Sequence, residues 1–211
     1  MNKILSYLDE LFPNPKCELN YTKDYELLIA VMLSAQTTDK KVNKVTEILF
    51  KKYPTINDLK DAKITDIEDI IKEIGTYHKK AKFVKEIAQI LYNNNEIIPK
   101  DRTFIEKLPG VGHKTANVFL SEIYNEPCIA VDTHVARVSK RLHLANSHDD
   151  VVKIEKKLMK KIPKDRWSKT HHQLVLFGRY HCKAINPNCT NCKLYDICIE
   201  KRKLFLKVNP K

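Results

Sequence analysis

Glycine is scarce in this chain: it occurs four times in 211 residues, at Gly75, Gly110, Gly112 and Gly178. A typical globular protein carries roughly 7% glycine. Loops built on glycine conformations must therefore be few, and each remaining glycine marks a specific backbone demand. Long apolar runs are missing too. The longest, Leu27 to Leu33, falls far short of the roughly 20 residues that span a bilayer. No apolar run leads to a small-residue cleavage site near the start, because Lys3, Asp9 and Glu10 interrupt it. A soluble, intracellular protein with no membrane partner is expected. No segment alternates apolar and polar residues over a strand's length, and no hairpin dipeptide sits between β-branched runs. Long linkers, internal repeats and low-complexity tracts are absent.

What remains is helical periodicity nearly everywhere. Ile4, Leu5, Leu8, Leu11 and Phe12 form one stripe, stopped by Pro13 and Pro15. Leu27 to Leu33 is apolar on all sides and reads as a central buried helix. Val42, Val45, Ile48 and Leu49 follow at helical spacing, as do Ala81, Val84, Ile87, Ala88 and Leu91. Thr65 and Glu68 have capping-box spacing before Ile67, Ile70, Ile71 and Ile74, with Gly75 as the expected left-handed stop. Further stripes run through Val135, Val138 and Leu142, then Val151, Ile154, Leu158 and Ile162, then Leu174 and Val175. The fold class is all-α.

Charge narrows the partner. The formal net charge of +12 favours a polyanion, through counterion release from phosphates. A lysine-rich composition without such a partner is the competing reading. Two of the four glycines lie in "LPGVGHKTANVFL", residues 108–120. A phosphate-binding P-loop needs four residues between its glycines, and one intervenes here. A dinucleotide fingerprint needs a preceding strand, but Phe104, Ile105 and Leu108 look helical and Thr115 occupies the third glycine position. The remaining reading is a helix-hairpin-helix. A short helix from about Arg102 to Leu108 meets a turn whose N–H groups, at Gly110, Val111, Gly112 and His113, can approach a nucleic-acid phosphate. A tight turn with no ligand is the bland alternative.

Lys114 stands in the first turn of the following helix, where a cation is disfavoured by the dipole. A lysine is a nucleophile only when neutral, and a helix N-terminus with partial burial would favour the neutral amine. A charged, phosphate-contacting lysine is equally compatible with the motif alone. In "CIAVDTHVARV", Asp132 precedes a new helix. Asp132 or Thr133 reads as an N-cap, and Asp132 also as a carboxylate able to take up protons and stabilise a developing cation. The two roles are compatible.

Cys182, Cys189, Cys192 and Cys198 fall in C-x6-C-x2-C-x5-C, four of six cysteines within 17 residues. The chain is not small and carries no secretion signal, so a metal site is expected rather than a disulfide framework. Structural zinc usually uses two tight Cys pairs. One tight pair leans toward a four-cysteine iron–sulfur cluster. Arg179, Lys183 and Lys193 flank the ligands.

Together, "LPGVGHKTANVFL", "AVDTHVARV" and C-x6-C-x2-C-x5-C resemble the endonuclease III family of DNA glycosylases. "ELLIAVMLSAQTTDKKVN" and "IGTYHKKA" are similar to its upstream segments, so the resemblance covers essentially the whole chain. It implies two all-α domains: a six-helix domain over 17–126 with the helix-hairpin-helix, and 1–16 joined to 127–211 around a [4Fe–4S] cluster. It implies a monomeric, cytoplasmic, nucleoid-associated enzyme that removes oxidised pyrimidines from duplex DNA and cleaves the strand 3′ to the abasic site. Lys114 falls on the family's Schiff-base lysine and Asp132 on its catalytic aspartate. Gln36 matches the residue that fills the gap left by the extruded base, although on its own it reads as a helix-end glutamine in water. Thr76 sits where relatives often carry a leucine wedge, and His113 where many carry arginine. A mismatch-type glycosylase that only removes bases usually lacks the lysine. A non-enzymatic DNA-binding iron–sulfur protein would need neither Lys114 nor Asp132.

Overall fold

The structure, a computed structural model, describes residues 1–200. Among the described residues there is no strand, and eleven α-helices account for the ordered backbone, with short 3-10 and π turns between them. No helix among them is long and apolar enough to cross a membrane. The chain divides into two compact units. One is Glu18–Tyr124; the other combines Met1–Cys17 with the residues from Asn125 onward.

Glu18–Tyr124 is organised around α2 (Asp24–Leu33), whose residues from Tyr25 to Leu33 are all buried. A helix apolar on every side must be covered on every side. Here α3 (Asp39–Lys52), α6 (Tyr77–Asn93) and α8 (His113–Tyr124) pack on it. Each fully buried Leu or Ile contributes about 1.5–3 kcal/mol over its exposed state, so this helix fixes the centre of the unit. Glu26 is also buried, which is tolerated because its Oε2 accepts from Thr22 N (2.7 Å), Thr22 Oγ1 (2.9 Å) and Lys23 N (3.2 Å). The unit is completed by α4 (Ile56–Asp61), α5 (Ile64–Ile71) and α7 (Arg102–Glu106).

Three local expectations are corrected. The resemblance implies six helices for this unit, and the structure divides it into seven, α2 to α8, because the short α4 and α7 each stand as separate helices. The working capping box is Thr55 with Asp58 at the start of α4: Thr55 Oγ1 accepts from Asp58 N at 3.1 Å, and Asp58 Oδ2 from Thr55 N at 3.0 Å. Thr65 lies inside α5, which starts at Ile64 with no side-chain cap. The left-handed residue near the end of α5 is Thr76 (φ 56°), not Gly75.

In the other unit, α1 (Asn2–Leu11) packs on α11 (Trp167–Leu176), and α9 (Thr133–Arg141) lies against both α10 (Val151–Lys161) and α11. Ile4, Leu8, Val135, Val138, Leu158 and Leu174 belong to one core. Asp9 fixes α1 in place. It accepts from both Arg166 Nη atoms (3.0 and 2.8 Å), from Lys169 Nζ (2.9 Å) and from Gln173 Nε2 (3.0 Å). The hydrogen bonds from Arg166, then Lys169, hold its carboxyl well below the usual carboxylate range. A π turn over Phe177–His181 continues α11 and delivers the chain to Cys182.

Candidate nucleic-acid interface and thiol cavity

The turn between α7 and α8 is built on Gly110. Its φ is +74°, and a Cβ there would collide with the Phe83 ring and come within 3.1 Å of Met32 Cγ. Both constraints demand glycine. Gly112 is different: its backbone is ordinary and a Cβ would meet nothing within 4 Å. Packing does not explain Gly112. Its carbonyl accepts the Ala116 N–H at 3.0 Å and so opens α8, while Val111 N donates to Leu108 O at 3.0 Å. Gly112, His113 and Lys114 are exposed, and Val111 is buried beneath them.

A polar brace spans this turn. Glu106 Oε1 faces His113 Nδ1 at 3.0 Å and accepts from Arg102 Nη1 at 3.3 Å. Arg102 Nη1 also donates to Asn117 Oδ1 at 2.7 Å, and Asn117 Nδ2 lies 3.3 Å from His113 Nε2. With the Glu106 carboxylate accepting, His113 carries its proton on Nδ1, and Nε2 accepts from the Asn117 amide. Burial pushes the Glu106 carboxyl up, but the hydrogen bonds from His113 and Arg102 outweigh it, and the group is held below its ordinary value. His113 thus joins α7 to α8. The signal for the other three was present in the sequence: Arg102/Glu106 and His113/Asn117 are both i,i+4 pairs flanking the glycine turn.

Lys114 is the second residue of α8 and is exposed. The partial burial expected around it is absent. Asp132 belongs to the other unit and is the N-cap of α9, with Oδ1 accepting from Val135 N at 2.7 Å. That cap fixes the carboxylate's orientation through one oxygen. Gln36 and Thr76 share an unusual backbone. Both have left-handed φ (57° and 56°), and both are exposed. For a β-branched threonine this is a strained conformation, of the kind that clusters at functional sites.

The four cysteines of the C-terminal loop line one partly open cavity, with Leu142 and Phe177 among its apolar walls. Among the described residues, no three His, Cys, Asp or Glu side chains stand close enough to share one ion. The thiols are spaced around the cavity rather than gathered on a point. Burial raises the thiol of Cys182, against the lowering effect of Arg141, and likewise raises Cys189. It pushes Cys192 up to about 11. Arg141 Nη1 donates to Cys182 Sγ (3.2 Å) and Lys183 O (2.8 Å), while Nη2 pairs with Glu200 at 2.5 Å. Arg137 Nη2 donates to Gly178 O at 2.7 Å. Gly178 packs directly against His134, where a Cβ would clash. The helix that Asp132 caps is therefore tied at two points to the cysteine loop.

The chain is similar to known proteins in sequence and fold. Residues 29–164 match the family of HhH-GPD superfamily base excision DNA repair proteins. Endonuclease III of Bacillus subtilis (strain 168) is 46% identical over 200 residues, covering 94% of this chain and 91% of its own. A trapped endonuclease III–DNA covalent intermediate, an estranged-adenine complex, is 48% identical with a TM-score of 0.91, over 95% of both chains. A non-covalent endonuclease III–DNA complex is 47% identical with a TM-score of 0.92, over 97% of this chain and 96% of that one. The chain belongs to the endonuclease III family, the bifunctional glycosylase and abasic-site lyase branch of the HhH-GPD base excision repair proteins.

Proposed function

We propose that Lys114 is the nucleophile of a DNA glycosylase and abasic-site lyase acting on oxidised pyrimidines in duplex DNA. The observation that carries this reading is its position: an exposed lysine in the first turn of α8, directly behind the Gly110 turn. The N–H groups of that turn bind a backbone phosphate and bring the sugar to the amine. Bound DNA excludes water from the site, and the amine must give up its proton before it can attack. The amine attacks C1′ of the extruded nucleotide and the base leaves with the bonding electrons. Loss of the amine's proton and opening of the sugar ring give an imine. Removal of a C2′ proton then expels the 3′ phosphate by β-elimination. Asp132, with one oxygen held in its cap, stabilises the developing sugar cation and moves the protons. A relative at 48% identity trapped covalently on DNA supports this chemistry.

Cys182, Cys189, Cys192 and Cys198 would hold a [4Fe–4S] cluster. Thiols spaced around a shared cavity suit a cluster whose own body separates its ligands, and four thiolates are the donor set such clusters take. When bound, the cluster supplies cross-linking rather than a reaction step. It would fix the loop that Arg137 and Arg141 join to α9, and so the orientation of Asp132. Binding must release the thiol protons that burial retains. Gln36 and Thr76 enter the duplex at the opened site, and the protein acts as a monomer in the cytoplasm, on the nucleoid.

The test is Lys114→Gln, which keeps a helix-compatible side chain but has no amine. It should bind abasic duplex, lose base excision and give no borohydride-trapped adduct. An adduct formed at the wild-type rate would place the nucleophile elsewhere.

A further inference from the structure

Lys80 is buried, with 4% of its surface exposed, yet it lies in α6 beside the exposed Lys79. An ammonium has three donors and must use them all when taken out of water. Lys80 Nζ reaches Leu33 O at 2.9 Å, Ala35 O at 2.7 Å and Thr37 Oγ1 at 3.3 Å. These acceptors bracket the end of α2 and both sides of Gln36. The last carbonyls of a helix carry its negative dipole end and have no partners within the helix. The lysine satisfies them there. Burial lowers the amine's proton affinity, so these acceptors must compensate for lost hydration.

The main chain of Lys80 lies beside the second exposed position. Its backbone N–H donates to Thr76 O at 3.1 Å, closing the first turn of α6 directly behind the left-handed Thr76. One residue therefore holds two exposed, left-handed positions that are distant in sequence, Gln36 through its side chain and Thr76 through its main chain. Packing alone would not need a charge at this point. A methionine of similar length would fill the space without three buried protons to satisfy.

We propose that Lys80 is a positioning residue that locks the Gln36 loop and the Thr76 turn into one rigid element for entering DNA. This rests on the reading of Gln36 and Thr76 as the residues that occupy the opened duplex. Rigid presentation matters because a loop ordered only on binding would spend affinity on its own ordering.

The experiment uses the full protein and two duplexes, one undamaged and one with a tetrahydrofuran abasic analogue opposite 2-aminopurine. Lys80→Met should bind undamaged duplex within about twofold of wild type, but lose about tenfold for the abasic duplex, the scale of a lost charged hydrogen-bond set. It should also give less change in 2-aminopurine fluorescence on binding. In a Gln36→Ala background, Lys80→Met should add little further loss, because both act through the same side chain. Thr37→Val, which removes one acceptor, should show the same selective loss at smaller size and serves if Lys80→Met does not fold. Equal loss on both duplexes, or additive losses with Gln36→Ala, would make Lys80 a structural residue only and overturn the proposal. If Gln36→Ala itself leaves abasic binding unchanged, the reading of Gln36 fails first, and the proposal falls with it.

Discussion

Gly110→Ala isolates the backbone demand at the centre of the hairpin. An L side chain at φ +74° costs about 1–2 kcal/mol by steric conflict with the following carbonyl. The added Cβ must also displace neighbours. The Phe83 ring is half-buried and can rotate outward, whereas Met32 is buried and must yield by a few tenths of an ångström. That places the packing cost near the low end of overpacking, about 1 kcal/mol. The sum is about 2–3 kcal/mol, or roughly 4–12 °C in melting temperature for a chain of this size. Differential scanning calorimetry measures it, with Phe83→Leu in the Gly110→Ala background as the companion. The second change should recover the packing part and leave the backbone part. Gly112→Ala is the control: its Cβ meets nothing, so stability should stay within about 0.5 kcal/mol. DNA affinity should still fall if the turn approaches a phosphate. A Gly110→Ala protein as stable as wild type would refute the steric reasoning.

Three further outcomes are expected. Thr76→Leu should tighten binding to an abasic analogue by about 1 kcal/mol through added apolar contact; unchanged or weaker binding would mean that another residue opens the helix. Asp9 has a depressed carboxyl in the folded chain, so its contribution is complete above its unfolded value near 4 and is lost as the pH falls below that. Urea midpoints of wild type should then drop more steeply than those of Asp9→Asn below about pH 4, and parallel curves would contradict the linkage. Anaerobically purified protein should be brown with four irons and four sulfides per chain. Cys192→Ser should lower stability or DNA affinity without removing the lysine chemistry, and stoichiometric zinc with no visible absorbance would sink the assignment.

Much of this was readable from residue patterns because the physics is local. The all-round apolar run at Leu27 to Leu33 could only be a buried helix, and α2 is one. The proline–glycine turn required a left-handed residue, and Gly110 supplies it. Asp132 caps α9 as its spacing suggested. The failures have equally physical causes. Thr55 and Thr65 each precede an acidic residue by three positions, but a cap also needs non-helical φ, which is set by where the helix starts. Left-handed geometry normally goes to glycine, yet tertiary structure gives it to Thr76 beside Gly75. Lys80 sits in a lysine-rich stretch with Lys79 and Lys82. Its position four residues before Val84 and seven before Ile87 put it on the apolar stripe of α6, and a cation on such a stripe must find carbonyls. Partial burial of Lys114 was expected, and the residue is exposed.

Under the proposed mechanism one amine performs the chemistry, and covalent mapping identifies it. Wild-type protein incubated with abasic duplex and borohydride, then digested with nuclease and protease, should carry the reduced sugar on the peptide containing Lys114. An adduct on any other lysine, or on the N-terminal amine, would contradict the account.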